Sequence, residues 1–176
     1  MIIPRNFYQR NTLDVAKDIL GCFLVRKEGG KITRAMITET EAYIGEDDLA
    51  CHASKGRTPR TEIMYGEAGY TYIYLIYGMY HLMNITTEKK EYPAAVLIRA
   101  VKIEDVDYKK TNGPGKLTKF LNIDSKLRGW DITKGEKFWI ESGIKINKKD
   151  IKIGKRVGVD YAKHCKHYPW RFYIEK

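Results

Sequence analysis

At 176 residues with 43% hydrophobic and 12% aromatic content, the chain is a globular protein of one-domain size, too apolar for a disordered tail. Thirty-two Lys and Arg against 22 Asp and Glu give a net charge of +10, which favours polyanionic partners, nucleic acid ahead of an anionic membrane. There is no long apolar run and no signal-peptide core at the start, and the three cysteines are odd in number and scattered, so no membrane span and no disulfide framework are expected and the setting is a reducing, intracellular one.

In chain order, Thr12 caps a predicted helix whose apolar positions Leu13, Ala16, Ile19 and Leu20 keep helical spacing, with Gly21 as its stop. Residues 22–27 and 31–43 read as an antiparallel hairpin around the turn Glu28-Gly29-Gly30-Lys31. The second strand starts apolar and ends in Thr38-Glu39-Thr40-Glu41-Ala42-Tyr43, where period-two alternation sends Glu39, Glu41 and Tyr43 to one face. Two carboxylates and a ring make this strand end the expected seat of chemistry. Residues 45–56, with Asp47, Asp48 and His52, read as a polar loop, and Thr58-Pro59 opens a predicted helix over residues 59–65.

A tyrosine-rich run follows, with Tyr70, Tyr72 and Tyr74 on one face of a strand and Thr71, Ile73 and Leu75 on the other. Tyr77-Gly78 is the predicted tip of a second hairpin. Ile76, Tyr77 and Met79 make that tip unusually apolar for a turn, so it is either a wedge that enters a base stack or a turn buried in the fold, and the pattern leaves both open. Residues 93–101 form a buried strand carrying Arg99, which needs a carboxylate or a phosphate. Asn112-Gly113-Pro114-Gly115-Lys116 opens a helix through Leu117, Phe120 and Leu121; its first N–H groups suit an anion or serve only the turn, and P-loop spacing is absent. Residues 138–140 and 151–153 are predicted strands around a lysine-rich turn, and 156–159 and 170–174 are predicted closing strands.

Five segments, Thr38-Glu39-Thr40-Glu41-Ala42-Tyr43, Tyr72-Ile73-Tyr74-Leu75-Ile76-Tyr77-Gly78-Met79, Val96-Leu97-Ile98-Arg99-Ala100, Asn112-Gly113-Pro114-Gly115-Lys116-Leu117 and Arg171-Phe172-Tyr173, together resemble the alkyladenine DNA glycosylase family, the mammalian type of 3-methyladenine DNA glycosylase. They stand in the family's order and span nearly the whole chain. The resemblance implies an α/β (α+β) single domain over residues 1–176, with a curved antiparallel β-sheet flanked by short helices, like the C-terminal domain of formyltransferases. It implies that alkylated or deaminated purines are flipped out of double-stranded DNA and cut from their sugar by water, with no metal and no cofactor. Matched residue by residue, Glu41 resembles the catalytic acid that activates the water, and Arg99 the arginine that helps to hold it and is expected to keep Glu41 ionised. Tyr43 and Tyr74 match the walls around the flipped base, His52 the pocket edge, and Asn84 the residue that disfavours the 2-amino group of guanine.

By the same resemblance Tyr77 fills the gap left in the duplex, which decides between the two readings of the tip. Tyr72, Met79 and Lys116 are expected on the DNA-binding surface, Tyr72 near the backbone or the pocket rim. A backbone carbonyl within residues 156–159 is the implied third holder of the water. A monomer is expected, cytoplasmic and with the nucleoid in a prokaryote or nuclear in a eukaryote, and no lysine forms a Schiff base, so no strand-cleaving lyase step follows.

Three other readings compete. Glu39 and Glu41 lie roughly 7 Å apart along a strand, inside the range of an inverting carbohydrate hydrolase. Such pairs, however, face each other across a sugar, and the chain lacks a tryptophan platform. Glu39 is therefore expected to be structural, paired to a base or an arginine. Cys51-His52 with His164, Cys165 and His167 suggests zinc, yet paired C-x-x-C spacing is missing. A non-catalytic nucleic-acid-binding module would keep the basic face and the tyrosines, and the joint presence of Glu41 and Arg99 speaks against it.

Overall fold

A computed structural model of the chain describes residues 1–175. Eight strands join in one antiparallel sheet: β1 (Phe23–Glu28), β2 (Lys31–Ile44), β3 (Thr71–Ile76), β4 (Tyr80–Thr86), β5 (Ala94–Lys102), β6 (Phe138–Glu141), β7 (Lys152–Gly154) and β8 (Arg171–Tyr173). Their order is β3-β4-β5-β2-β1-β6, with β8 paired to β2 and β7. Three short helices accompany them, α1 (Arg5–Tyr8), α2 (Thr12–Asp18) and α3 (Pro114–Phe120). This is the α+β architecture expected. Among the described residues no helix is long and apolar enough to cross a membrane.

Strand β2 organises the molecule. Its first half pairs with β1 through the turn at Gly29 and Gly30, whose φ values of 55° and 81° are the left-handed conformations that a two-residue hairpin turn demands. Its second half lies between β5 on one edge and β8 on the other. The pairing with β5 is irregular between Ile37 and Thr40, and this irregularity swaps the faces of the strand. Ala35 and Ile37 point into the main core, whereas beyond the shift Ala42 does so and Thr40 donates from its hydroxyl to the Ala16 carbonyl of α2. Strand β5 behaves likewise, giving Val96 and Ile98 to the core and then Val101. Glu39, Glu41 and Tyr43 on β2, with Leu97 and Arg99 on β5, are thereby released to the opposite face.

The core face is filled by Val15, Ala16 and Ile19 from the α2 segment, Leu117 and Leu121 from the α3 segment, and Ile73, Met83 and Ile85 from β3 and β4. Loops close the other face. Cys51, Ala53, Met64 and Tyr65 pack with Tyr72 and Ala95, while Ala50, Val159, Ala162 and Cys165 pack around Tyr43.

Several expected elements take another form. Asn11, not Thr12, caps α2: its side chain accepts from the Leu13 N–H, while the buried Thr12 hydroxyl bonds Glu88 and Thr87. Residues 59–65 hold only a short 3-10 turn, Glu62–Tyr65. The segment 156–159 is a loop rather than a strand, because Gly158 has φ of 74° and the Val157 N–H is spent on a side chain. The hairpin, the Arg99 strand and the strand near residues 170–174 form as expected, within a residue or two at their ends.

Candidate active site

Glu41 is fully buried from bulk solvent yet forms part of the lining of a cleft of about 560 Å³. Its Oε1 accepts from the Val157 backbone N–H at 2.8 Å and its Oε2 from the Tyr43 hydroxyl at 2.8 Å. The Arg99 guanidinium stands beside it, Nη1 lying 3.6 Å from Oε1. Burial pushes the Glu41 carboxyl above the ordinary carboxylate range; Arg99, the Val157 N–H and the Tyr43 hydroxyl pull it back in part, and Glu39 adds to the rise. Arg99 thus acts in the expected direction, favouring the ionised form of Glu41, but desolvation outweighs it and the net shift is upward. Tyr43 is itself driven well upward by burial and by Glu41, so it stays protonated and donates.

The two expected walls, Tyr43 and Tyr74, both border this cleft, together with His52, Leu82, Tyr161 and the loop Val157, Gly158 and Val159. Behind Tyr43 lies Arg156, its guanidinium 4.8 Å from the ring centre. Arg156 is locked there by Asp48, with Nη1–Oδ2 of 2.5 Å and Nη2–Oδ1 of 2.8 Å, and by donation to the Ala42 carbonyl at 2.9 Å. Burial works against that charge, but the Asp48 partner more than restores it and the net shift of Arg156 is upward. His52 packs edge-on to Tyr74, ring centres 4.5 Å apart, and its Nδ1 is 2.7 Å from the Tyr72 hydroxyl. Burial, then Arg60 and Lys55, push the His52 pKa down to about 4, so the imidazole is neutral at pH 7.

Of the two places expected for Tyr72, the pocket holds and the DNA-binding surface is corrected: with 2% of its surface exposed it lies against His52 and borders the pocket from within. Asn84 is buried beside it, its amide donating to the Tyr72 carbonyl at 3.1 Å. Both border an inner hollow of only about 20 Å³, shared with Tyr43, Tyr74 and His52. That volume is smaller than a purine, and Tyr43, Tyr74 and His52 also line the larger cleft outside it.

The hairpin tip stands in solvent, with Tyr77 85% and Met79 65% exposed, which removes the buried-turn reading. Tyr77 and Gly78 have φ of 52° and 68°, the paired left-handed residues of a tight hairpin turn. A tyrosine in that conformation is uncommon, and the tight turn imposes it. Lys116 joins the cleft wall, its ammonium donating to the Lys109 carbonyl and Asn112 Oδ1. Next to it, a Cβ on Gly115 would come within 2.9 Å of the Tyr80 ring, so a glycine there allows α3 to close on the hairpin.

Sequence reasoning missed Arg60, whose guanidinium lies 5.3 Å from the Tyr74 ring centre, and the Asp48–Arg156 pair. It also missed Tyr161 and the Val157 N–H. Only the rarity of a fully buried arginine could have signalled Arg156, and burial is not written in a single loop residue.

A family model described as methylpurine-DNA glycosylase matches residues 6–176 of the chain. A Methanocella arvoryzae protein is 45% identical over 185 residues, covering 98% of this chain and 92% of its own. A Legionella pneumophila protein is 46% identical over 173 residues, covering 98% and 94%, and one from Alkaliphilus oremlandii is 45% identical over 196 residues, covering 99% and 96%. Each of the three has been assigned the name 3-methyladenine DNA glycosylase.

Proposed function

The chain belongs to the methylpurine-DNA glycosylase family, and on that premise we propose that it removes alkylated and deaminated purines from double-stranded DNA as a monomeric, single-domain enzyme that opens base excision repair. A base inside a duplex is out of reach, so the nucleotide turns out of the stack while Tyr77, already exposed at its tip, enters the space it leaves. That exchange offsets an unstacking cost of a few kcal/mol. The extruded purine stacks in the cleft between Tyr43 on one side and Tyr74 with His52 on the other. Electron-rich tyrosine faces favour cationic alkylpurines by about 1–2 kcal/mol over neutral ones.

The chemistry is a displacement at the sugar C1′. Water supplies the oxygen, the purine leaves with the electron pair of the N-glycosidic bond, and Glu41 takes the water proton. As the sugar acquires oxocarbenium character, the Glu41 carboxylate also lowers its energy electrostatically. Arg99 and the 156–159 loop flank the same spot, and neutral His52 adds no cation to repel a charged lesion.

One observation carries this reading: a buried carboxylate held by a backbone N–H and a tyrosine hydroxyl on a cleft walled by tyrosines and overhung by an exposed tyrosine tip. The test is a duplex oligonucleotide with one hypoxanthine or 3-methyladenine-type lesion, incubated with wild type or Glu41→Gln and then treated with hot alkali. Strand breaks with wild type only are expected. No breaks with either, across charged and neutral lesions, would leave a lesion-binding module in place of an enzyme.

A further inference from the structure

Glu39 plays no part in the reaction just described, yet it sits at the centre of the charge cluster around Glu41. Three neighbouring strands supply that cluster: Arg99 from β5, Glu39 and Glu41 from β2, and Arg171 from β8, which lies directly across from Glu41 in register. A single oxygen of Glu39, Oε1, accepts from Arg99 Nε at 3.1 Å and from Arg171 Nη1 at 3.0 Å. The side chains of Glu39 and Arg99 are only 13% and 16% exposed, so these bonds are largely shielded from water.

The distances are unequal in an informative way. Arg99 makes its short contact to Glu39 and stops 3.6 Å from Glu41, beyond a good hydrogen bond. A guanidinium that is free to choose forms two parallel bonds with a carboxylate. On Glu41 that pairing would occupy the oxygen face on which the water must be activated. We propose that Glu39, steadied by Arg171, is a positioning residue that holds Arg99 back from Glu41 and so keeps the Glu41 carboxylate free to take a proton from water. The proposal deepens the glycosylase reading and rests on it for its catalytic meaning. Its geometric content, that Glu39 governs the Arg99–Glu41 contact, stands apart from activity.

The same arrangement adjusts the proton affinity of Glu41, which burial raises most. The groups that face it are Arg99 from β5, Arg171 from β8, Glu39 and Tyr43 from its own strand, Tyr74 from β3, and Arg156 and the Val157 N–H from the loop after β7. Of these Glu39 raises the Glu41 pKa, and releasing Arg99 onto Glu41 would lower it. Loss of the Glu39 charge therefore acts in one direction by both routes.

The test uses Glu39→Gln and Glu39→Asp in the full chain, with two readouts. The first is the titration of the Glu41 carboxyl, followed by carbon-13 NMR in the free protein. Glu39→Gln is expected to move its midpoint down by about one pH unit, the scale of one altered charged neighbour. The second is single-turnover base release across pH. Here Glu39→Gln is expected to lose at least about tenfold in rate, equal to about 1.4 kcal/mol, with the acid limb displaced to lower pH, lesion-duplex affinity held within about twofold, and partial rescue by Glu39→Asp. An unmoved Glu41 midpoint would overturn the proposal. So would a rate loss accompanied by an equal loss of binding and an unmoved acid limb, since that pattern belongs to a scaffold residue. A wild type that releases no base refutes the glycosylase reading alone, while the carboxyl titration still decides the role of Glu39.

Discussion

Replacing Glu41 by Gln is expected to cripple catalysis and to steady the fold. The carboxylate is sealed from bulk water, and removing an ion from water costs several kcal/mol. Two charge-assisted hydrogen bonds, from the Val157 N–H and the Tyr43 hydroxyl, return about 1.5–3 kcal/mol each, and Arg99 at 3.6 Å adds a weaker attraction. The upward shift of the carboxyl pKa says that desolvation wins this balance. Gln keeps the geometry: its oxygen accepts from Val157, and its amide donates to the Tyr43 oxygen. Neutralisation should then return on the order of 1 kcal/mol, at the low end of what replacing buried charges yields. For a chain of this size that is a rise of about 2–4 °C in Tm.

The pH dependence follows from the same shift. A carboxyl with a raised folded pKa binds its proton more tightly in the folded state, so its contribution to stability is full below the unfolded value and drains away as pH rises through the folded value. The Tm advantage of Glu41→Gln over wild type should therefore be present at pH 7 and shrink toward zero near pH 4. Calorimetric melts of both proteins at the two pH values measure it, alongside a base-release rate reduced by about 10²- to 10⁴-fold for the lost general base. A variant that melts at or below the wild-type temperature at pH 7 would refute the claim that burial dominates at Glu41.

Tyr77→Ala should slow base release by about 10- to 100-fold, or about 1.4–2.8 kcal/mol, with Tm unchanged because the ring touches solvent and not the core; an equal drop in Tm would contradict this. Arg156→Met should lower stability by about 3–5 kcal/mol, because it leaves the buried Asp48 charge with only the Ile44 and Ala50 backbone N–H groups and no counter-ion; the double variant with Asp48→Asn should regain much of the loss in a denaturant titration, and an additive loss would count against the pairing. His52, held near a pKa of about 4 against an ordinary 6.5, refuses a proton that the unfolded chain accepts, so stability falls as pH drops across that window. Thermal melts of His52→Asn should show a shallower decline than wild type between those pH values, and an identical decline would exclude His52 as its source.

Much of this site was legible in the sequence because its parts obey local rules. Tyr77-Gly78 carries its turn in its own composition, and Arg99 in an apolar strand announces a nearby acid. The expectation of an arginine partner for Glu39 also meets its residues, Arg99 and Arg171. Depth was harder. Alternation put Tyr72 and Tyr74 on one face, but the loop that buries Tyr72 joins through Cys51, Ala53 and Met64, distant in sequence. Arg156 was read as the start of a closing strand, while its determinant, Asp48, lies 108 positions away. The face of the acids was reached through an incomplete rule. Strict alternation from Ala35 and Ile37 would have sent Glu39 and Glu41 into the core beside them. Only the irregular pairing between residues 37 and 40 separates the two sets, and that property belongs to the strand pair.

The change of face in β2 also sets terms for the descent of such a chain. Side-chain parity along a strand is a count, and one added or deleted codon between positions 37 and 39, if the pairing did not absorb it, would turn both carboxylates toward α2 and bring Thr40 and Ala42 to the cleft. Point substitutions on this strand can be tried singly by mutation and selection. Changes of length there are lethal to the site in one step. Related genes that differ in size must therefore carry their insertions in the connections between strands, where a gained residue alters no parity.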